Sequence, residues 1–248
     1  MRMWPFSSLL SACLALQVGC PAAQAGPPYL TDDPVPTDYR QFEIYGFTDG
    51  IQNRGGTTAD AGVDFNYGGG PDLQLTAVLP LTFEHPRGEN SSMGLGNIQL
   101  AAKLRLRHQR ESGWNVAVFP RLFLPSGTPR VGERHAYVQL PLWVGRDWGQ
   151  WSTFGGGGCE INRAGNSRDS CFAGWVLARR VLPALQAGVE LFHQTADAVG
   201  ALDKTVFGTG VRCDLNPRAH LLAYVSRGIH NAESEHRYSW YAAVLFTF

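Results

Sequence analysis

The chain closes on Ser239-Trp240-Tyr241-Ala242-Ala243-Val244-Leu245-Phe246-Thr247-Phe248, and the alternation along this stretch decides the fold. Successive side chains of an extended strand point to opposite sides. Trp240, Ala242, Val244, Phe246 and Phe248 therefore share one face, and Ser239, Tyr241, Ala243, Leu245 and Thr247 the other. An apolar face carrying aromatics at its ends suits hydrocarbon on one side and a lumen on the other, as in a strand of a transmembrane β-barrel. A last strand of this kind, ending on an aromatic with a free carboxylate, resembles the signal read by the outer-membrane assembly machinery, which is thus an expected partner during biogenesis.

The same period recurs back to Phe42. Leu73, Leu75, Ala77, Leu79, Leu81 and Phe83 oppose Gln74, Thr76, Thr82 and Glu84; Ile98, Leu100, Ala102, Leu104 and Leu106 oppose Gln99, Lys103, Arg105 and Arg107. Runs of about ten residues, bounded by Gly, Pro, Asn, Asp or Ser, predict strands near 42-53, 57-69, 72-85, 95-109, 114-125, 135-147, 150-162, 169-182, 185-196, 204-215, 219-229 and 237-248. Strands of that length cross a tilted bilayer core of ~30 Å. Short connections (Gly69-Gly70-Pro71, Glu111 to Gly113, Asp147-Trp148-Gly149, Pro183-Ala184, Asn216-Pro217-Arg218) alternate with longer polar ones (His85 to Gly94, Ser126 to Arg134, Asn162 to Arg168, Ala196 to Asp203, His230 to His236). Outer-membrane barrels alternate short periplasmic turns with long external loops in this way. The expected fold is all-β: a single closed antiparallel transmembrane barrel of about twelve strands over 42–248, with the chain returning to the periplasm. The competing architecture is a secreted β-sandwich or lipocalin-like barrel, whose strands also alternate but turn their apolar faces inward. Strand length, loop alternation and the terminal Phe248 favour the membrane barrel.

Residues 1–25 read as a secretory signal, with Arg2 as the positive region, Leu9 to Val18 as the apolar region and Ala23-Gln24-Ala25 as a small-x-small cleavage site. The alternative is lipoprotein processing at Cys20, after Val18-Gly19, although Gln17 stands where a Leu is expected. No stretch approaches the roughly 20 apolar residues of a spanning helix. Past the signal, 20 basic residues face 21 acidic ones, so no net field attracts nucleic acid. Three cysteines remain. Cys159 and Cys171 flank a polar loop and come near each other on paired strands, which makes a disulfide possible after export; Cys213 is left over as a small apolar residue, buried or facing lipid. A metal site finds no CxxC or His cluster, and no cofactor is expected.

Several segments carry a family resemblance: Pro27-Pro28-Tyr29-Leu30-Thr31-Asp32-Asp33-Pro34-Val35-Pro36, Leu140-Pro141-Leu142-Trp143-Val144-Gly145, Trp148-Gly149-Gln150-Trp151-Ser152-Thr153-Phe154 with Gly155 to Gly158, Phe172-Ala173-Gly174-Trp175, and Glu190-Leu191-Phe192-His193-Gln194-Thr195. Together they resemble the outer-membrane transporters grouped with the meta-pathway of phenol degradation, and the likeness runs through most of the mature chain. It implies a barrel set in outer-membrane lipid of a Gram-negative cell, porin-like in kind. It fixes location better than cargo and transfers no catalytic or ligand residue.

If the apolar faces meet lipid, the lumen is lined by Glu43, Asp64, Glu84, Lys103, Arg105, Arg107, Arg121, Glu190, Arg212 and Asp214. Such a set can guide a solute, with arginines contacting anionic or aromatic cargo, or can fill a narrow barrel with ion pairs. The segment 26–41, with Pro27, Pro28, Pro34 and Pro36, shows no alternation and should be extended without ladder bonds. It can tuck into the periplasmic mouth as a plug, Asp32 and Asp33 touching lumen arginines, or trail as a solvated tail; Tyr29 and Leu30 are poor residues for a tail. Gly155 to Gly158 lacks the following helix of a phosphate-cradling loop, so it marks a bend or room for a neighbouring side chain. His193, beside Gln194 and Thr195, has no Ser neighbour of the kind a lipase-type barrel needs, and no enzyme is expected. The expected function is passive passage of a small aromatic or hydrophobic compound. A sealed structural or surface-binding barrel is the alternative.

Overall fold

The computed structural model describes residues 28–248 apart from Glu133 and Ala164. The expected signal sequence and the alternative processing site at Cys20 lie outside the described residues. Fourteen strand segments make one antiparallel sheet: β1 (Phe42–Asn53), β2 (Gly56–Gly70), β3 (Leu73–Pro86), β4 (Ser92–Leu95), β5 (Gln99–Arg107), β6 (Asn115–Val118), β7 (Arg121–Phe123), β8 (Tyr137–Trp148), β9 (Trp151–Ile161), β10 (Ser170–Leu182), β11 (Leu185–Gln194), β12 (Lys204–Asn216), β13 (Ala219–His230) and β14 (Tyr238–Thr247). The sheet closes where β14 runs against β1, from Glu43 opposite Thr247 to Gln52 opposite Tyr238. Both β4 and β5 pair with β3, and both β6 and β7 pair with β5 and β8. Each of these two couples is one spanning strand with a local break, so the barrel has twelve staves, as the sequence period predicts.

The breaks have local causes. Pro120 has no N–H to give to the ladder, and its carbonyl instead accepts from Ala102 N at 3.2 Å. Between β4 and β5, Gly96 N bonds Pro80 O at 2.9 Å and Ile98 N bonds the Ser126 hydroxyl at 2.8 Å, so the backbone stays satisfied without regular pairing. The first connection at the long-loop end departs from the alternation: only Arg54 and Gly55 separate β1 from β2.

The faces fall as the alternation requires. Leu75, Leu79, Leu81 and Phe83 are exposed on the outside of β3, while Gln74, Thr76 and Thr82 are buried inside. On β13, Leu221, Val225 and Ile229 point out, and His220, Leu222, Tyr224 and Ser226 point in. A large apolar exterior around a polar interior is the inverse of a soluble barrel, and only hydrocarbon makes it favourable, at about 1.5–3 kcal/mol per large side chain removed from water. Arg146 lies 5.4 Å from the Trp114 ring centroid and Arg179 5.2 Å from that of Trp151, at the short-turn end. Tryptophans with neighbouring cations form the interfacial belt of a membrane protein. Cys159 and Cys171 sit directly opposite on β9 and β10 and form a disulfide; Cys213 is free.

Candidate functional site in the barrel lumen

By the rule for outer-membrane barrels the short-turn end is periplasmic, and from that end residues 28–38 run up inside the barrel. Tyr39 bridges Gly68 in parallel, and Thr37 N donates to Gln74 Oε1 at 2.9 Å. Deeper, Asp32 accepts from Lys103 Nζ at 3.0 Å and from Arg121 Nη2 at 2.9 Å. Beyond it, Thr31 N and Leu30 N donate to the two oxygens of Glu190 at 2.7 and 3.3 Å, and the Tyr29 hydroxyl donates to Gly210 O at 3.2 Å. The anchors on β5 and β7 lie across the ring from those on β11 and β12, so the segment spans the lumen.

Its sequence explains how it lies there. Prolines hold it extended and remove amides that would otherwise need partners; of the amides that remain, those of Leu30, Thr31 and Thr37 find carboxylate and amide oxygens of the wall, and those of Asp33 and Val35 find carboxylates within the segment. Lys103 is 3% exposed and Glu190 1%; charges buried so deeply are costly unless paired or hydrogen-bonded. The wall is cut to fit. A Cβ on Gly210 would sit 2.8 Å from the Tyr29 ring, and one on Gly145 would sit 3.0 Å from Pro34 Cδ. Tyr29 packs beside Phe154, Val176 and Ala178, with ring centroids 5.9 Å from Phe154 and 5.6 Å from Tyr224.

Two cavities flank the segment. The one towards the long loops has about 680 Å3 and touches Pro28, Tyr29 and Leu30. The other, towards the short turns, has about 320 Å3 and touches Pro28, Asp33, Pro34 and Val35.

The ten residues assigned to the lumen from sequence separate into groups. Lys103, Arg121 and Glu190 meet the segment directly. Glu43 accepts from the Tyr45 hydroxyl at 3.1 Å, Asp64 from Asn66 Nδ2 at 2.9 Å, and Glu84 lines the larger cavity. Arg212 and Asp214 pair at 2.9 Å in a cluster with His220 and Arg180 near the short turns, and Arg105 pairs with Asp72 at 2.8 Å. Arg107 lies past a bulge in the β5–β6 ladder and is exposed at the strand end, because the register shift breaks the alternation on which its assignment rests. Asp32 makes the contacts expected of it, whereas Asp33 Oδ1 accepts from Val35 N at 2.6 Å. His193 alternates with the buried Glu190 and Phe192 and shares a 2.9 Å hydrogen bond with Thr205. Gly156, on the inner face of β9 opposite Trp143, leaves room for that indole; this is the role given by the structural reading of the glycine run.

Asp49, Asp60 and the rings of the larger cavity also face the lumen. Stepping by two from Glu43 reaches Asp49 and from Asp64 reaches Asp60, so the alternation already held them. His236 has no such signal, since it comes from the loop after the short helix Ala232–Glu235. Its Nε2 lies 2.9 Å from the Ser226 hydroxyl, and burial, with the Lys204 charge adding to it, lowers its pKa from 6.5 to about 4. The fold holds the neutral ring. Its contribution is fully present above pH 6.5 and is lost as pH falls towards about 4. Arg237 N, which bonds Gln52 O at 2.8 Å, should therefore exchange its hydrogen faster at pH 4.5 than at pH 7 after correction for intrinsic rates, and His236→Gln should remove that difference.

A closed twelve-stave barrel with an apolar exterior and a polar lumen defines a porin-like outer-membrane channel fold. The chain belongs to the family described as "Putative MetA-pathway of phenol degradation", which matches residues 48–239. Among curated proteins none matches. Among solved structures it is similar to the COG4313 outer membrane channel from Pseudomonas putida F1, at 15% identity and a TM-score of 0.70, covering 91% of this chain and 100% of that one. It is also similar to the KdgM porin in complex with disordered oligogalacturonate (9% identity, TM-score 0.55, 84% and 99% covered) and to the β domain of the Bordetella autotransporter BrkA (14%, 0.53, 84% and 98%). At these identities the likeness is one of fold.

Proposed function

We propose that the protein, exported by its N-terminal signal, sits in the outer membrane as a passive channel for a small aromatic or hydrophobic solute, with residues 28–37 as the constriction of the path. The observation that carries this reading is the pair of cavities, about 680 and 320 Å3, on either side of the same segment. A solute entering from the long loops meets an aromatic-lined chamber, then the segment, then a second chamber opening towards the short turns. Nothing covalent is required of the protein, and His193, the histidine considered for hydrolysis, bonds a threonine rather than a serine. Of the polar set of the lumen, Lys103, Arg121 and Glu190 hold the segment.

The alternative is a sealed barrel acting through its loops, and one observation favours it: Thr31 and Pro34 are fully buried, so the segment is packed rather than loose. Reconstitution separates the two. Proteoliposomes should take up benzyl alcohol faster than protein-free liposomes, and a planar bilayer should carry a small current; absence of both leaves the sealed barrel.

A further inference from the structure

The larger cavity has a chemistry that the constriction does not use. Three ring pairs stand around it on separate parts of the wall. Phe47 and Tyr241 stack across the β1–β14 seam at 6.4 Å and 13°. Phe123 and Tyr137 stack at 4.3 Å and 5°, and Phe172 and Phe192 at 6.0 Å and 23°. All six rings line the cavity. Beside the first of these pairs, on the side towards the second, Asp49, Asp60 and Asp64 face the same space from β1 and β2. Asp60 accepts from the Thr82 hydroxyl and Asp64 from Asn66, but none of the three forms a salt bridge with a described residue. The cations that line the cavity are already engaged, Arg121 with Asp32 and Lys204 with Asp197.

We propose that this chamber is a binding site for a small organic ammonium ion, held between ring faces and the carboxylates of Asp49, Asp60 and Asp64. The site deepens the channel reading and rests on it for its place in a solute path. The faces of aromatic rings carry negative potential and attract alkylammonium groups. Carboxylates that form no salt bridge with a described residue add to that potential in a concave chamber, where the low-dielectric wall concentrates the field. An anion meets the opposite field. A volume of about 680 Å3 is that of an organic solute rather than of a bare ion, and no group of residues able to hold a metal occurs among the described residues. A further observation points to a ligand: Trp143 lines the chamber and is 1% exposed, yet its indole Nε1 has no hydrogen-bond partner. A buried donor left open in this way suits an acceptor on the solute, such as a hydroxyl or ether oxygen.

The test uses the purified mature protein in detergent, with its tryptophan fluorescence as the readout. Benzyltrimethylammonium, benzyl alcohol and benzoate are titrated as the cationic, neutral and anionic members of one aromatic series. The expected result is a Kd for the ammonium ion at least tenfold below that for benzoate. Asp60→Asn with Asp64→Asn should raise the ammonium Kd at least fivefold and leave benzyl alcohol unmoved, and Asp49→Asn alone should act in the same direction if the double variant fails to fold. Benzoate binding as tight as the ammonium, or folded variants with unchanged affinity, overturns the proposal. The channel reading fails separately: a barrel that binds the ammonium but carries no solute into liposomes keeps the site and loses the transport, whereas one that carries benzyl alcohol and ignores the ammonium loses the site alone.

Discussion

Deletion of residues 28–37 is expected to raise single-channel conductance several-fold and to speed benzyl alcohol entry into proteoliposomes. These residues lie between the two cavities and fasten to opposite walls through Asp32 and Glu190. Without them nothing in the described wall replaces the obstruction. The deletion also strips Lys103 and Glu190 of their partners. In a dry interior each would be costly, roughly 1–3 kcal/mol or more for a charged group left unsatisfied; in a widened lumen, water takes over. The barrel should therefore fold, keep its heat-modifiable mobility on gels, and conduct more. A subtler variant, Asp32→Asn, removes one charge from the latch and should raise conductance less. A deletion variant that folds and conducts no better than the parent would show that residues 28–37 do not limit the path.

The second large effect concerns the outer wall. Leu177 is exposed midway along β10 on the outward face. Leu177→Arg should destabilise the barrel by about 2–4 kcal/mol, the cost of a cation near the bilayer midplane. Val181→Arg, on the same face four residues nearer the turn, should cost only about 0–1 kcal/mol because the guanidinium reaches the headgroups. Denaturant unfolding from phospholipid vesicles measures both. Equal and small effects would mean that this face does not meet hydrocarbon.

Most of the wall was legible in the sequence because its physics is local. Each stave needs one apolar and one polar face, so the period of two appears directly in the residues, as in Leu73 to Phe83 and Trp240 to Phe248. What the period could not carry is what interrupts it. Pro120 divides one stave and the bulge before Arg107 shifts another, and both depend on which neighbour takes each backbone group. Parity also selects the residues assigned to the lumen; of these, Lys103, Arg121 and Glu190 meet the N-terminal segment, and Arg107 is exposed at a strand end. Their partners were not legible. Nothing in the spacing of Leu30 and Thr31 announces a bond to Glu190 about 160 residues away, and the three-way grouping of rings around the chamber emerges only when distant strands close into a ring.

Residues 28–38 come in through the short-turn mouth, joined to the wall by Tyr39 and Arg40 beside Gly68. The segment's bonds to Glu190, Gln74, Lys103 and Arg121 go to side chains and take no part in the ladder that joins the staves, so the filling of the lumen and the integrity of the wall are mechanically independent.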